Sequence, residues 1–238
     1  MDVILPLHSD ISKTALQDNL EAKFCIYGLF KNFKDLNRLF IVTNTEVEID
    51  SINSEGIIDK SRIIYVNRGD DCAQAKDAVI IDKIAAVISA YPDLSEDFLF
   101  ISDDQLFIKP TYAYEIVPLI REGITGSGIY RRRVQNTLNR FENPKLMEPH
   151  QPNIFNKTMF KKMISEIDYI KEFESVVIYT LYFNYVKEDV FTSCPIYYHV
   201  GVEDDKIIPD NCKILAFWNG AFKDTKYRNL IKEKLFSK

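Results

Sequence analysis

Asp97-Phe98-Leu99-Phe100-Ile101-Ser102-Asp103-Asp104-Gln105-Leu106-Phe107 carries four apolar residues in succession and then two adjacent carboxylates. An unbroken apolar run of this length, with no polar alternation, predicts a strand buried on both faces, cut off by Ser102-Asp103-Asp104-Gln105. The chain before it repeats the pattern. Val3 to Leu7, Arg38 to Thr43 and Ile63 to Val66 are further short apolar runs, with Pro6 marking the end of the first. Between them, apolar residues recur at three- and four-residue spacing over Thr14 to Asn32 and Ala75 to Ala90, predicting two helices. The order strand, helix, strand, strand, helix, strand predicts an α/β fold: a mostly parallel sheet covered by helices on both faces. Ligands then belong at the carboxyl ends of the strands.

The second half is less regular. Leu106 to Pro110 suits a short strand, Ala113 to Glu122 a helix, and Gly123 to Tyr130 a loop and a strand at Ile129-Tyr130. Met159 to Ile167 and Phe173 to Val186 suit helices, Pro195 to Val200 a closing strand, and Asp224 to Lys238 a charged helical tail. No repeat, low-complexity block or linker interrupts the chain. Its 238 residues, 46% of them hydrophobic, suit one domain over 1–238, in which a boundary near residue 110 divides halves of one fold, 1–110 and 111–238.

The charge balance bounds the partners. Lys and Arg number 30 against 35 Asp and Glu, a formal charge of -5, so broad attraction to nucleic acid or anionic lipid is excluded and any basic site is local. The acidic Asp2 and the short apolar run after it do not make a secretory signal. No segment approaches the roughly 18 uninterrupted apolar residues of a membrane span. A cytoplasmic location is therefore expected. Cys25, Cys72, Cys194 and Cys212 are scattered without the close pairing of a zinc site, which predicts buried free thiols.

The acidic pair Asp103-Asp104 is the strongest local feature. Like charges so close repel, and a cation removes the cost. Hard oxygen ligands at a strand end suit Mg²⁺ or Mn²⁺, ions that keep some waters and share their other positions with phosphate oxygens. The competing reading is an Asp-Asp turn, since both residues end strands readily. Two other acidic pairs, Asp70-Asp71 and Asp204-Asp205, lie farther from any predicted strand end and suit solvated surfaces.

Asp97 to Phe107 resembles the strand and carboxylate motif of bacterial and phage GT-A-type glycosyltransferases, and of the related Stealth sugar-phosphate transferases of capsule synthesis. Asp2 to Leu7 is similar to their first strand and Arg38 to Asn44 to their second. His150-Gln151-Pro152-Asn153-Ile154-Phe155-Asn156-Lys157 resembles their downstream His-x-Pro stretch ahead of a helix. The likeness covers most of residues 2 to 165 and implies a Rossmann-type GT-A fold. It also implies transfer of a sugar from a nucleotide sugar, UDP-linked by expectation, to a glycan or lipid-linked acceptor in surface polysaccharide synthesis. Ser102-Asp103-Asp104 corresponds to an x-Asp-Asp form of the Asp-x-Asp motif. The last acid, Asp104, is thereby assigned to the metal, and the preceding positions to the neighbourhood of the ribose. Asp103 is a second candidate ligand. His199, which ends Pro195-Ile196-Tyr197-Tyr198, resembles the late histidine that completes the metal shell in some GT-A enzymes.

Further candidates rest on position. Lys83, on the helix before the motif strand, and Lys23, on the first helix, are each either a diphosphate contact or an ordinary helix-surface lysine. His8 follows the first strand, where a nucleotide sits in this architecture, or is a loop imidazole without a role. His150, held in a stiff Pro-rich segment, suits a general base or acceptor-binding group with a pKa near neutrality, or else a structural hydrogen-bonding histidine. Gly123-Ile124-Thr125-Gly126-Ser127-Gly128 lacks the ending of a P-loop and suits a turn or a close approach to sugar. Arg131-Arg132-Arg133 offers either an anion contact or a solvated run. Glu174 is a candidate acid/base group at a helix start. Two alternatives stand beside glycosyl transfer: a Stealth-like transfer of sugar 1-phosphate, and an inactive carbohydrate- or nucleotide-binding module on the same scaffold.

Overall fold

Among the described residues eight short strands form two sheets, covered by six α-helices. A computed structural model describes residues 1–8, 20–45, 47–70, 76–120, 128–147, 150–167, 176–187, 189, 191–200, 208–217 and 224–236. The larger sheet is built from β1 (Asp2–Pro6), β2 (Leu39–Val42), β3 (Ile63–Val66), β4 (Asp97–Phe100) and β6 (Asn153–Asn156), in the order β3-β2-β1-β4-β6. β1, β2, β3 and β4 run parallel, while β6 lies antiparallel to β4. The smaller sheet, ordered β5-β8-β7, contains β5 (Gln105–Phe107), β7 (Tyr197–Val200) and β8 (Ile214–Phe217).

Alternation along each parallel strand feeds two separate cores. Val3, Leu5, Leu39, Ile41, Leu99 and Ile101 face one side, packed with α1 (Leu20–Asn32), the second sheet and α6 (Thr225–Phe236). Ile4, Phe40, Val42, Phe98 and Phe100 face the other, against α2 (Lys76–Ala90), α4 (Lys157–Glu166) and α5 (Ile178–Val186). These strands lack polar alternation because neither face meets water. On the second side Phe155 is the hub, its ring 4.3 Å from Tyr182, 5.6 Å from Phe100 and 5.7 Å from Phe160.

β1 is followed outward on one side by β2 and β3, and β4 then returns to its other edge. The two crossover helices, α1 and α2, therefore cover opposite faces. The gap between β1 and β4 is the switch point at which such a sheet opens a crevice beyond its carboxyl ends.

Several sequence expectations change. Ala113 to Glu122 is not a helix over its described part: a single 3-10 turn at Ala113–Glu115 gives way to extended backbone at Ile116. Pro118 is the reason, since it disfavours helical geometry in the residue before it and removes a donor. Ile129 and Tyr130 open α3 (Gly128–Leu138) instead of forming a strand, with Gly128 in the left-handed region at φ 62°. β6 and β8 were not expected. Asn156 ends β6 and starts α4 in one step, because its side-chain oxygen accepts from the Met159 N–H at 3.0 Å. Cys25 and Cys212 are buried and Cys194 half-buried, all free thiols as expected. The expected helical residues 14–19, Asp71, Cys72, Ala75, residues 121–127, Phe173, Glu174, and Asp204-Asp205 lie outside the described residues.

Two close contacts fix the frame. Gly28 on α1 lies against the β5 backbone, where a Cβ would meet the Phe107 carbonyl oxygen at 2.8 Å and its nitrogen at 3.3 Å. Asp2 is fully buried at the start of β1 and accepts from Arg38 Nη2 at 2.7 Å, Asn37 Nδ2 at 2.8 Å and the Ser95 N–H at 2.9 Å. Burial alone raises this carboxyl; the bonds from Arg38, Ser95 and Asn37 outweigh it and leave it below the ordinary value.

Gly28→Ala tests the first contact, because helix propensity alone predicts a gain of about 1 kcal/mol. Crowding β5 costs about 1–3 kcal/mol, and urea unfolding is expected to show a net loss of stability. Asp2→Asn tests the second. A depressed folded-state pKa contributes stability that is fully present above the unfolded value of about 3.9 and fades as pH falls toward the folded one. The stability gap between the native chain and Asp2→Asn is therefore constant from pH 7 to about 5 and narrows below about pH 4.

Candidate active site

The end of β4 turns sharply. Ser102 N–H donates to Gln105 Oε1 at 3.1 Å, and Gln105 N–H donates back to the Ser102 carbonyl at 3.2 Å. Phe217 N–H, on β8, donates to the Asp104 carbonyl at 3.0 Å and ties the turn to the second sheet. Asp103 stays half-buried, whereas Asp104 is only 5% exposed.

Antiparallel pairing of β6 on β4 brings a distant segment to this turn. Asn153 stands opposite Phe100, so the residues just before β6 lie just past the end of β4. His150 Nε2 thereby sits 2.7 Å from Asp104 Oδ2. The segment is clamped on both sides of the ring. Gln151 Nε2 donates to the Val117 carbonyl at 2.6 Å, Asn153 Nδ2 to the Gln151 carbonyl at 2.8 Å, and the Tyr197 hydroxyl to the His150 carbonyl at 2.7 Å. His199 arrives through the second sheet. Gln105 and His199 both pair with Ala216, from opposite sides of β8, which places His199 in the row beside the turn. Its ring meets that of His150 edge-to-face, with centroids 5.8 Å apart.

Asp104 Oδ1 is buried and has no hydrogen-bond partner among the described residues. Leaving a buried charged oxygen unsatisfied costs about 1–3 kcal/mol or more, and a cation is the ligand that relieves it. Asp103 and Asp104 carry oxygen donors and His199 a nitrogen donor, the residue types that could hold Mn²⁺ or Mg²⁺. Among the described residues no three His, Cys, Asp or Glu side chains stand ready-arranged around one point. The negative field is nonetheless visible in Cys25, whose Sγ is 3.6 Å from the Ser102 carbonyl. Burial first, then the charges of Asp103 and Asp104, push its thiol well above the ordinary range.

A second cluster gathers at the ends of β1 and β3. Lys83 on α2 is 1% exposed; its ammonium donates to the Leu7 carbonyl and to Asp70 Oδ1, the latter at 2.5 Å. His8 Nδ1 lies 3.4 Å from Asp70 Oδ2. Asp70 is thus no solvated acid: it joins α2 to the edge of the sheet, a role its separation from β3 by Asn67-Arg68-Gly69 concealed. Lys83 is no helix-surface lysine either, since it holds the end of β1 from within. The clusters flank the β1/β4 switch point, with Asp103, Asp104, His150 and His199 in one and His8, Asp70 and Lys83 in the other.

The other candidates fall elsewhere. Lys23 donates to Glu48 at 2.8 Å and to Ser51 at 3.2 Å. Arg133 Nη1 donates to Asp77 Oδ2 at 2.6 Å, joining α3 to α2, while Arg131 and Arg132 are exposed. Of the glycine-rich stretch only Gly128 is described. Gln151 and Tyr197, which hold His150 in place, were not singled out in the sequence; the Pro-flanked stiffness of residues 149–152 was the available signal for the first.

No protein-family model matches the chain, and no curated protein matches it in sequence. Solved structures do match in fold. The galactosyltransferase LgtC, in complex with donor and acceptor sugar analogs, superposes with a TM-score of 0.57 at 10% identity, covering 99% of this chain and 95% of that one. An active-site glutamine-to-glutamate variant of LgtC gives a TM-score of 0.54 at 10% identity, covering 97% and 96%. At one residue in ten the likeness is one of architecture, and the mostly parallel sheet flanked by helices is a GT-A fold in a single domain.

Proposed function

We propose that this chain is a metal-dependent glycosyltransferase that moves a sugar from a nucleoside diphosphate sugar to an acceptor hydroxyl. The observation that carries the reading is Asp104: a carboxylate buried at the switch point of a GT-A sheet, with one oxygen bonded to His150 and the other unpartnered. The LgtC structure with bound donor and acceptor analogs supports the reading by fold.

In this reading the nucleotide lies across the carboxyl ends of β1 and β4, with its diphosphate toward Asp103 and Asp104. Asp104, Asp103 and His199 would hold a divalent ion, which would supply Lewis-acid neutralisation of the charge that gathers on the departing diphosphate as the bond to the sugar C1 breaks. Phe217 N–H fixes the Asp104 backbone, so the carboxylate is oriented before any ligand arrives. Lys83 acts by position: its buried ammonium anchors the Leu7 carbonyl and Asp70, setting the floor on which His8 and the nucleotide rest. The half from 111 to 238 supplies His199 and the acceptor side, for which a glycan or lipid-linked hydroxyl is the expected class. No helix among the described residues is long and apolar enough to cross a membrane.

Incubation with Mn²⁺ and a panel of nucleotide sugars, UDP-linked donors first, is expected to release nucleoside diphosphate. Release of nucleoside monophosphate would instead mean transfer of sugar 1-phosphate, and binding without turnover would mean an inert module. Asp104→Ala is expected to lose Mn²⁺-dependent UDP binding by about 100-fold or more with little change in Tm; collapse of the fold would return Asp104 to a structural turn. Lys83→Met removes the buried ammonium from Asp70, and a loss of about 3 kcal/mol in urea unfolding is expected, together with weaker UDP binding.

A further inference from the structure

Ser102 stands where the Asp-x-Asp pattern has its first acid, so the turn offers Asp103 and Asp104 as its carboxylates. We propose that His150 joins Asp103, Asp104 and His199 as a metal ligand through Nε2, making a set of two histidines and two carboxylates. The inference rests on the metal reading above and deepens it by naming the donor set and the ions it favours.

The geometry carries the assignment. Donor atoms about 2.1 Å from an ion and at right angles to each other lie about 3.0 Å apart. His150 Nε2 and Asp104 Oδ2 are 2.7 Å apart, so opening the pair by a few tenths of an ångström makes it the edge of a coordination shell. Among the described residues no third donor is arranged around that edge, so ligation requires the His199 ring to close on it. Asp104 Oδ1, buried and unpartnered, marks the side on which a charge is missing. The His199 ring lies edge-to-face against that of His150, with centroids 5.8 Å apart, which brings a second imidazole beside the pair. The Tyr197 hydroxyl holds the His150 carbonyl and Gln151 ties the next residue to the Val117 carbonyl, the support that a ligand needs and that a mobile acceptor-binding group does not.

Proton bookkeeping is simple. A carboxylate only accepts, so Nε2 carries the hydrogen in the present pair. On ligation of the neutral ring the proton moves to Nδ1 and the Nε2 lone pair enters the shell. Two imidazoles make the site softer than one built on oxygens. Affinity is then expected to rise from Mn²⁺ to Co²⁺, and Mg²⁺, which prefers oxygen and keeps its waters, is expected to bind at least about 10-fold more weakly than Mn²⁺.

The test uses the full chain without nucleotide. Mn²⁺ binding is measured by titration with electron paramagnetic resonance, and ¹⁴N couplings are read by electron spin echo modulation. Two imidazole nitrogens on Mn²⁺ are expected in the native chain and one in His150→Ala, with Mn²⁺ affinity at least about 10-fold lower and Tm unchanged. Loss of affinity with both nitrogen couplings retained would make His150 an outer-shell support and overturn the proposal. Native Mn²⁺ affinity in His150→Ala, beside loss in Asp104→Ala, would overturn it while leaving the metal reading intact. Unchanged Mn²⁺ binding in Asp104→Ala would overturn both. His150→Asn, which keeps a polar side chain, serves as the second variant should the alanine form unfold, with the same couplings read.

Discussion

The parallel pairing of β4 against β1 is the constraint from which the site follows. Phe98 and Phe100 face one core and Leu99 and Ile101 the other, so the strand has no exposed face there, and the α2 crossover from β3 returns it parallel to β1. The first polar residues after it must then emerge at the carboxyl edge, between β1 and β4. The Phe217 N–H of the second sheet catches the Asp104 backbone there and keeps its carboxylate from turning out to water. A carboxylate that is neither solvated nor fully bonded attracts a cation far more strongly than a surface one, because the low local dielectric multiplies the interaction.

Charge is distributed unevenly between the two strand-end clusters. At β1 and β3 the acid Asp70 has the buried ammonium of Lys83 beside it, so that corner is compensated from within. At β4 Asp104 has the His150 imidazole beside it, and the charges of Asp103 and Asp104 act on the buried Cys25 thiol. A net charge of -5 spread over the whole chain would not distinguish these corners; the placement of one lysine does. The same division separates roles. Lys83 belongs to the frame, and Asp104 to the proposed site, although both lie beneath the surface.

Much of the parallel half was legible from residue type. Ile63–Val66 forms a strand as expected, Arg38 to Thr43 contains β2, and Ala75 to Ala90 contains α2, because strands buried on both faces and amphipathic helices leave unmistakable patterns. β8, Ile214-Leu215-Ala216-Phe217, carries the same signal and was overlooked after Val200. β6 is different: Asn153-Ile154-Phe155-Asn156 has no strand signature of its own and exists because β4 offers it an edge. Ile129-Tyr130 misled because two apolar residues suit either state, and packing on α5 decided for helix. The candidate site was legible only as fragments. Asp103-Asp104, His150 and His199 could each be singled out, but nothing in the chain announces that His150 bonds to a carboxylate 46 residues away.

Residue order by itself determined the layered architecture, the switch to polar chemistry after Ile101 and the edge of the sheet at which a ligand belongs, since these depend on which side chains must leave water. Tertiary structure alone decided the partners. Antiparallel pairing at Asn153 and Phe100 carried His150 to Asp104, and the shared partner Ala216 set His199 in the row of Gln105. Burial turned Lys83 and Asp70 from surface residues into a buried ion pair. Hydrophobic burial is readable locally because it depends on each residue's own contact with water. A bond between distant polar groups depends on strand register, which only the assembled sheets define.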